Sequence, residues 1–263
     1  MIVSHNRADK LRRGLEALGS AHQVLVVDNG SRDNTSALDE ADFPGARFIR
    51  LPKNFGLTKA LNIGVRAADG EYILILHDDA AISGENVSRL ADFLEARQDV
   101  GAVCPVLTDE AGARVPQVRP LPTPSLPDPS LRPVEGSGEI AAECVSGAAI
   151  LFRTSFLRAL RQIDERYGNY GSDIELCFQV KRAGRKLIVL TDVPAIHDAA
   201  LSPMKASALA GDRAVGTAVF LGKHHGFLTG MLYRIKTGLI ALVTFRFGVI
   251  AGAFSDAKID GTS

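Results

Sequence analysis

The sequence predicts an α/β protein whose central sheet is mainly parallel and is covered by helices on both faces. Over the first two hundred residues, short apolar runs alternate with stretches of helical periodicity, and such alternation favours a doubly wound sheet. The runs QVLVV and YILIL are continuously apolar, which is typical of strands buried on both faces. A chain of 263 residues is long enough for one such domain with a small appendage.

The predicted elements alternate along the chain to about residue 183. The strands are Gln23–Val27, Ala46–Leu51, Tyr72–Leu76, Val100–Pro105 and Val145–Phe152. The helices are Asp9–Leu18, Thr58–Ala68, Asn86–Arg97 and Ser172–Ala183. Ligands of doubly wound sheets bind outside the carboxyl ends of the strands. The residues that follow each strand are therefore the first candidates for a functional site.

Carboxylates follow two of the predicted strands. The loop Asp28–Ser31 comes after QVLVV, and His77–Asp79 comes after YILIL. Because the carboxyl ends of parallel strands lie at one edge of the sheet, we expect these carboxylates to face a common crevice. Each loop also has a purely structural interpretation, since Asn-Gly forms tight turns and Asp or Ser caps a following helix.

Two segments depart from the alternating pattern. Leu107–Val134 holds seven prolines between Pro116 and Pro133, and proline lacks an N–H donor and restricts φ, so an extended loop is predicted. This loop is either a surface excursion or a flexible wall over an acceptor site. Ala214–Phe254 is apolar with interspersed basic residues, and Arg246 interrupts it before the roughly 20 residues that a spanning helix needs.

The C-terminal segment has two interpretations. Basic residues among large apolar ones suit a helix that lies in a membrane interface; the alternative is a pair of helices packed on the domain or in a homodimer contact. We divide the chain into a domain of residues 1–210 and a C-terminal helical segment of residues 211–263.

Composition narrows the partners and the compartment. The 30 basic and 30 acidic residues cancel, which argues against a nucleic-acid partner. The three cysteines are scattered without a CxxC pair, so neither a disulfide framework nor a thiolate zinc site is expected. A reducing cytoplasm fits best, at the inner face of the membrane if the C-terminal segment contacts lipid.

Seven segments together carry a family resemblance. They are VSHNR (Val3–Arg7), VVDNGSRDNT (Val26–Thr35), NFGLTKALNIGV (Asn54–Val65), YILILHDDA (Tyr72–Ala80), GAAILFRTSFL (Gly147–Leu157), IDERYGNYGSDIELCFQVKRAG (Ile163–Gly184) and VPAIHDAALS (Val193–Ser202). By their number, order and spacing they resemble glycosyltransferase family 2, and within it the rhamnosyltransferase-like members. The resemblance implies the GT-A nucleotide-diphospho-sugar transferase fold and inverting transfer of a sugar from a nucleotide diphosphate donor.

The resemblance also implies a donor pocket at the ends of the first strands. It places Asp28 at the nucleotide base, because a carboxylate can accept from the N3–H of uracil or thymine. It places Asn54 and Gly56 in the base and ribose pocket, where glycine allows close backbone approach. The other implied donor-binding positions are Ser4, Asn6, Lys59, Asn62, His77 and Asp78.

The diphosphate leaving group implies a divalent cation, Mg²⁺ or Mn²⁺, acting as a Lewis acid and template. By resemblance, Asp79 is the metal-binding last acid of the D-x-D motif and His197 completes the site. His77 stands at the first position of that motif, where the family has an acid; its imidazole is expected to reach the ribose instead.

Activation of the acceptor hydroxyl needs a general base, and the resemblance assigns Asp173. Ser172 replaces the usual Glu before the base, and we expect Glu175 to compensate in part. Without the resemblance, Ser172 and Asp173 read as the first turn of a helix, where an acid is favourable to the dipole.

The predicted function is therefore an inverting hexosyltransferase in cell-wall or polysaccharide biosynthesis. The resemblance favours dTDP-rhamnose or a UDP-sugar as the donor, and the expected acceptor is a glycan or a lipid-linked saccharide. One alternative is a GT-A relative that binds a nucleotide sugar without turnover. The other is a nucleotidyltransferase, whose usual glycine- and basic-rich phosphate loop is missing from the first loop, SHNRADK.

Overall fold

Eleven strands, seven α-helices and one 3-10 helix (Asn34–Ala37) are found in the parts of the chain that the computed structural model describes: residues 1–160, 163–198, 206–245 and 249–250. The strands are β1 (Ile2–Ser4), β2 (Val24–Asp28), β3 (Ala46–Arg50), β4 (Tyr72–His77), β5 (Ala80–Ala81), β6 (Val100–Thr108), β7 (Val118–Arg119), β8 (Glu139–Ala141), β9 (Cys144–Val145), β10 (Ala149–Arg153) and β11 (Lys186–His197). The helices are α1 (Ala8–Leu18), α2 (Leu57–Ala67), α3 (Gly84–Ala96), α4 (Thr154–Ala159), α5 (Ser172–Arg182), α6 (Ala206–His225) and α7 (Phe227–Val243).

The central sheet has the order β3-β2-β1-β4-β10-β6-β11-β5, with β8 added beside β11. The predicted parallel arrangement is confirmed for β3, β2, β1 and β4 and for the pair β6 and β11. Strand β10 runs antiparallel to both of its neighbours, so the sheet is mixed. The chain leaves β6 at its carboxyl end and re-enters the sheet at that same edge, where the His77 N–H donates to the Ala148 carbonyl at 2.8 Å.

The strand predicted at Val145–Phe152 is two strands, because β9 ends at Val145 and β10 begins at Ala149. The turn between them contains Gly147 and lies at the carboxyl edge of β4. Strand β11 was not among the strands predicted from the sequence. Its last residues pair with β5 and bring His197 opposite Ala80.

Hydrophobic clusters on both faces of the sheet explain the continuously apolar strands. Along β4, Leu74 and Leu76 join a cluster with α1 and α3, whereas Ile73 and Ile75 join a second cluster with α2, α5 and Phe220 of α6. Successive side chains of a strand point to opposite faces, so a strand with helices on both faces needs an apolar residue at every position. The residues at the carboxyl ends of the strands are thereby left to form the site.

The proline-rich segment Leu107–Val134 packs along the carboxyl edge of the sheet. The prediction kept it out of the core, but its first two residues belong to β6, and Leu121 and Val134 join the hydrophobic core. Its strand β7 pairs with β9, and Val118 lies opposite Val145. The buried Gln117 side chain donates to the Pro105 carbonyl at 2.7 Å and accepts from the Leu107 N–H at 2.9 Å. These contacts hold the segment as an inner wall beside the strand ends.

The C-terminal helices fold back on each other. Helix α6 packs on the domain through buried residues such as Phe220 and Leu221; α7 packs on α6 where Gly230 approaches Gly222, so closely that an added side chain would clash. The boundary proposed after residue 210 falls inside α6. Within the described ranges, no helix combines the length and the apolar character required to cross a bilayer.

Candidate functional site

The loops after β1, β2 and β4 meet at the carboxyl edge of the sheet. Asp28, the last residue of β2, is almost fully buried; its Oδ1 accepts from the Ser31 N–H at 2.9 Å, and its Oδ2 lies 3.8 Å from Nη1 of Arg50. Asn6, which has a φ of 55°, donates its N–H to Ser31 Oγ at 3.0 Å. The Ser31 side chain therefore connects the loops after β1 and β2, while Asp28 fixes the loop after β2.

The loop after β2 also contacts the loop before α2. The Asn29 side chain donates to Asn54 Oδ1 at 2.9 Å, and that oxygen also accepts from the Gly56 N–H at 2.8 Å. Gly30 has a φ of 75°, and a Cβ at this position would lie 2.3 Å from the carbonyl carbon of Lys53. Only glycine fits both the backbone conformation and the close approach.

Two residues of α2 that were predicted to bind the sugar donor differ in their exposure to solvent. Lys59 is exposed, and its Nζ lies 4.9 Å from the ring centre of Phe55. Asn62 is buried; its amide donates to the Ile163 carbonyl and to Glu165, and its oxygen accepts from the Ile163 N–H. These bonds anchor the segment before α5 to α2, and donor binding by Asn62 stays a prediction.

Asp78 and Asp79 are joined by a residue that sequence reasoning did not single out, Arg7. Its Nη1 donates to Asp79 Oδ2 at 2.8 Å and to Asp78 Oδ1 at 3.2 Å. Ser4 Oγ donates to Asp78 Oδ2 at 2.9 Å. The signal was the arginine at the end of VSHNR, but only the adjacency of β1 and β4 shows which carboxylates it contacts.

His77, Asp79 and His197 form a group that could hold a metal ion, since their ligand atoms all lie within 4.8 Å of one another. Asp79 Oδ1 is 3.4 Å from His197 Nε2 and 3.9 Å from His77 Nδ1. Burial favours the neutral acid, but the contact with His197 and the nearby His77 and Arg7 outweigh it and hold the pKa of Asp79 well below its usual range.

The polar atoms of this group fit a cation. Asp79 Oδ1 and His197 Nδ1 are buried and have no hydrogen-bond partner among the described residues, which is unusual for buried polar atoms. The sequence placed His77 at the ribose, whereas the structure places its ring beside the two predicted metal ligands. One carboxylate and two imidazoles are a suitable donor set for a divalent transition metal.

Asp173 lies at the start of α5, across the β9–β10 turn from this group. Its Oδ1 accepts from the Ile174 N–H at 2.9 Å, and its Oδ2 accepts from Arg119 Nη2 at 3.1 Å. A Cβ built on Gly147 would lie 3.3 Å from Asp173 Cβ and 3.5 Å from His77 Nε2. Asp173 and His77 therefore lie on either side of the same glycine.

Glu175 does not support Asp173, contrary to expectation. Its buried carboxylate accepts from Tyr167 Oη at 2.9 Å, Gln179 Nε2 at 2.6 Å, Lys223 Nζ at 2.7 Å and His224 Nε2 at 2.7 Å. Residues two apart on a helix face different directions, and Glu175 faces α6. It anchors the C-terminal helices to α5, while Arg119, which sequence reasoning missed, contacts Asp173.

The first 159 residues match the model of the family described as Glycosyl transferase family 2. The chain belongs to glycosyl transferase family 2. The matched part contains the loops around Asp28, Asn54 and Asp79. As a family member the protein is a glycosyltransferase.

Curated relatives extend this family likeness beyond residue 159. The chain is 25% identical over 284 residues to N-acetylglucosaminyl-diphospho-decaprenol L-rhamnosyltransferase of Mycobacterium tuberculosis, covering 92% of the chain and 90% of the relative. It is 33% identical over 101 residues to the succinoglycan biosynthesis protein ExoO of Rhizobium meliloti, covering 36% of the chain and 29% of that protein. Rhamnosyltransferase-like membership is thus supported by a match over nearly the whole chain.

Two solved transferase structures share the fold of this chain. GalNAc-T7 with UDP, GalNAc and Mn²⁺ superposes with a TM-score of 0.65 at 15% identity, over 84% of this chain and 46% of that one. The mannosyltransferase PcManGT from Pyrobaculum calidifontis, in complex with GDP-Man and Mn²⁺, gives 0.57 at 17% identity, over 97% and 85%. The predicted GT-A fold is confirmed.

Proposed function

We propose that this glycosyltransferase is an inverting enzyme that transfers a sugar from a nucleotide diphosphate to a lipid-linked saccharide during cell-surface polysaccharide assembly. The observation that carries the proposal is the placement of Asp173 opposite the His77–Asp79–His197 group across Gly147. We take dTDP-rhamnose as the first donor, because the M. tuberculosis relative is an L-rhamnosyltransferase; a UDP-sugar is the second. Family membership sets aside the nucleotidyltransferase alternative.

The nucleotide would lie across the carboxyl ends of β2, β1 and β4. In this proposal Asp28 accepts from the base, and Asn54 and Gly56 border the base and ribose. The contacts Asp28–Ser31 and Asn29–Asn54 already fix the loops without a ligand. A pocket ordered in advance loses less conformational entropy when the donor binds.

His77, Asp79 and His197 would hold a divalent cation, which would supply charge stabilisation for the diphosphate leaving group. Carboxylate oxygens suit both predicted ions, but imidazole ligands are a poorer match for Mg²⁺ than for transition metals. We therefore propose Mn²⁺ ahead of Mg²⁺. Arg7, which is bonded to both Asp78 and Asp79, keeps the second oxygen of Asp79 turned away from His197.

Asp173 would act as the general base. The acceptor oxygen forms its bond to the anomeric carbon while the bond from that carbon to the diphosphate oxygen breaks, and the acceptor hydroxyl proton passes to Asp173. A single displacement from the face opposite the leaving group inverts the anomeric configuration. Asp173 is partly open to solvent, with 19% of its side chain exposed, so an acceptor can approach it.

A transfer assay with dTDP-rhamnose and a synthetic N-acetylglucosaminyl-diphospho-lipid tests this proposal. Asp173→Asn should lower kcat by about 10²–10⁴-fold while leaving the thermal stabilisation by donor and Mn²⁺ intact, because donor binding does not need the base. Full activity of Asp173→Asn would refute the assignment. Donor binding without transfer to any glycan or lipid-linked acceptor would favour the binding-only alternative.

The exposed face of α7 supports a peripheral membrane location. The side chains on this face are large and apolar: Leu228, Leu232, Ile235, Leu239, Leu242 and Val243. The face toward α6 carries small residues instead, among them Gly230, Gly238 and Ala241. A helix with its small residues inward and its large apolar residues in solvent marks an interaction surface.

The positive charge of the C-terminal segment favours an anionic lipid surface as the partner of this α7 face. Between Asp212 and Asp256 the sequence has no acidic residue and five Lys or Arg: Arg213, Lys223, Arg234, Lys236 and Arg246. Basic residues beside an apolar helix face suit binding to anionic headgroups. This location at the inner face of the membrane would bring the site to a lipid-linked acceptor.

Co-sedimentation with vesicles of phosphatidylglycerol or of phosphatidylcholine tests the membrane proposal. The exposed substitutions Leu232→Ser and Leu239→Ser should each weaken binding to the anionic vesicles by about tenfold. Leu126→Ser, at an exposed leucine in the proline-rich segment, is the matched control. If the wild type does not bind vesicles but forms a dimer that these two substitutions dissociate, the face is assigned to a second copy of the chain.

A further inference from the structure

We propose that Arg119 is a positioning residue that sets the orientation of the Asp173 carboxylate. Arg119 lies on β7 in the proline-rich segment, 54 residues before Asp173. The inference rests on the proposed function of Asp173 as the general base. It assigns a part in the reaction to a segment that carries none of the family motifs quoted above.

Arg119 is built into the site. Only 3% of its side chain is exposed. Its Nη2 donates to Asp173 Oδ2 at 3.1 Å, and its Nη1 donates to Tyr170 Oη at 2.8 Å. The guanidinium carbon lies 5.2 Å from the Tyr170 ring centre, and its backbone is fixed opposite Cys144 by the β7–β9 pairing. The guanidinium thus has two directional contacts, and the backbone that carries it is fixed.

A second layer of contacts holds Tyr170. Its hydroxyl donates to Asp128 Oδ1 at 3.0 Å, and Asp128 in turn accepts from Arg213 Nε at 2.8 and 2.7 Å. Arg213 belongs to α6, and its guanidinium carbon lies 5.5 Å from the same tyrosine ring. A continuous polar chain therefore runs from the base through the proline-rich segment to the C-terminal helices.

This arrangement determines which way the carboxylate faces. One oxygen of Asp173 is held by the Ile174 N–H and the other by Arg119, so the plane of the carboxylate is fixed. The planar fork of arginine can satisfy Asp173 and Tyr170 together, whereas the single ammonium of lysine cannot do so in the same geometry. A charge-neutralising role would tolerate lysine; a positioning role would not.

The test compares Arg119→Lys, Arg119→Ala and Asp173→Asn in the transfer assay with dTDP-rhamnose and the N-acetylglucosaminyl-diphospho-lipid. Because misplacement of a catalytic group by about 1 Å costs on the order of 10²-fold in rate, Arg119→Lys should lower kcat by about that factor. The KM for the donor should stay within about twofold, since Arg119 contacts none of the donor-side loops. Added guanidinium should restore part of the activity of Arg119→Ala and none of that of Asp173→Asn.

Arg97→Lys is the matched control, because Arg97 also bridges two acids, Asp99 and Glu139, on a surface remote from the site. Circular dichroism and melting temperature check folding, and Arg119→Lys decides the question if Arg119→Ala does not fold. If Asp173→Asn is inactive but Arg119→Lys keeps the wild-type kcat, the positioning role of Arg119 is overturned and the proposed function stands. A raised donor KM with unchanged kcat would also overturn it. A fully active Asp173→Asn would instead defeat the proposed function.

Discussion

Replacing Glu175 by glutamine is expected to destabilise the whole protein, because this carboxylate ties α5 to α6. The substitution preserves the size of the side chain and removes its charge. Four donors from α5, α6 and the loop before α5 meet at the Glu175 carboxylate. Of these, Lys223 is a cation that pairs with Glu175 and with Asp164. The glutamine would leave buried donors without an ionised acceptor.

The magnitude follows from the pKa of Glu175. Burial alone would raise this pKa, but hydrogen bonds from His224, Lys223 and Gln179 outweigh burial and lower it from the ordinary 4.5 to about 2. Each unit of pKa corresponds to about 1.4 kcal/mol, so ionised Glu175 contributes about 3 kcal/mol at neutral pH. Only 4% of the side chain is exposed, so solvent screening is small. For a chain of this length we expect the melting temperature to fall by roughly 6–12 °C.

The pH dependence has a defined sign. Because the folded-state pKa is depressed, the contribution is complete above about pH 4.5 and is lost as the pH falls toward 2. The difference in unfolding free energy between wild type and Glu175→Gln should therefore shrink by roughly 1 kcal/mol between pH 7 and pH 4. Urea unfolding at the two pH values measures it.

Glu143→Gln is the matched control for this experiment. Glu143 pairs with Lys181 at 2.8 Å on the exposed side of α5, and such surface pairs contribute about 0–1 kcal/mol. If Glu175→Gln and Glu143→Gln lose equal stability at pH 7, the anchoring role is refuted. If Glu175→Gln unfolds in two separate transitions, α6 and α7 are an independent unit, in line with the division after residue 210.

Two further predictions concern the donor side. Gly30→Ala should weaken the thermal stabilisation by dTDP-rhamnose, because the added Cβ would collide with the backbone of Lys53. Gly19→Ala controls for backbone strain, since Gly19 has a φ of 61° and open space around it. Equal donor binding by the two variants would contradict the prediction. His197→Ala should lower Mn²⁺ affinity by about 10-fold or more in calorimetry with dTDP present, since a ligand atom is removed, and an unchanged Kd would exclude His197 from the metal site.

The sequence by itself determined the layers of the fold and the position of the crevice. Runs such as YILIL are apolar at every position because helices cover both faces of β4, and this local pattern can be read without the partners. The loops around Asp28 and Asp79 were placed at the carboxyl edge because each follows one of the predicted parallel strands. The antiparallel direction of β10 could not be read, since it depends on the path of the segment between β6 and β10.

Only the tertiary structure decided which side chains act together. Arg7 and Asp79 are 72 residues apart, and Arg119 and Asp173 are 54 apart. Spacing along a helix or strand encodes which face is apolar, but a pair from distant segments is chosen by packing and strand order. The same limit applies to Asn62 and Glu175, which were singled out by their positions in the family motifs. Their contacts with Ile163 and with α6 are set by packing and could not be read from the motifs. Asp173 and His77 of the candidate metal group lie on either side of Gly147, and only the turn between β9 and β10 brings them there.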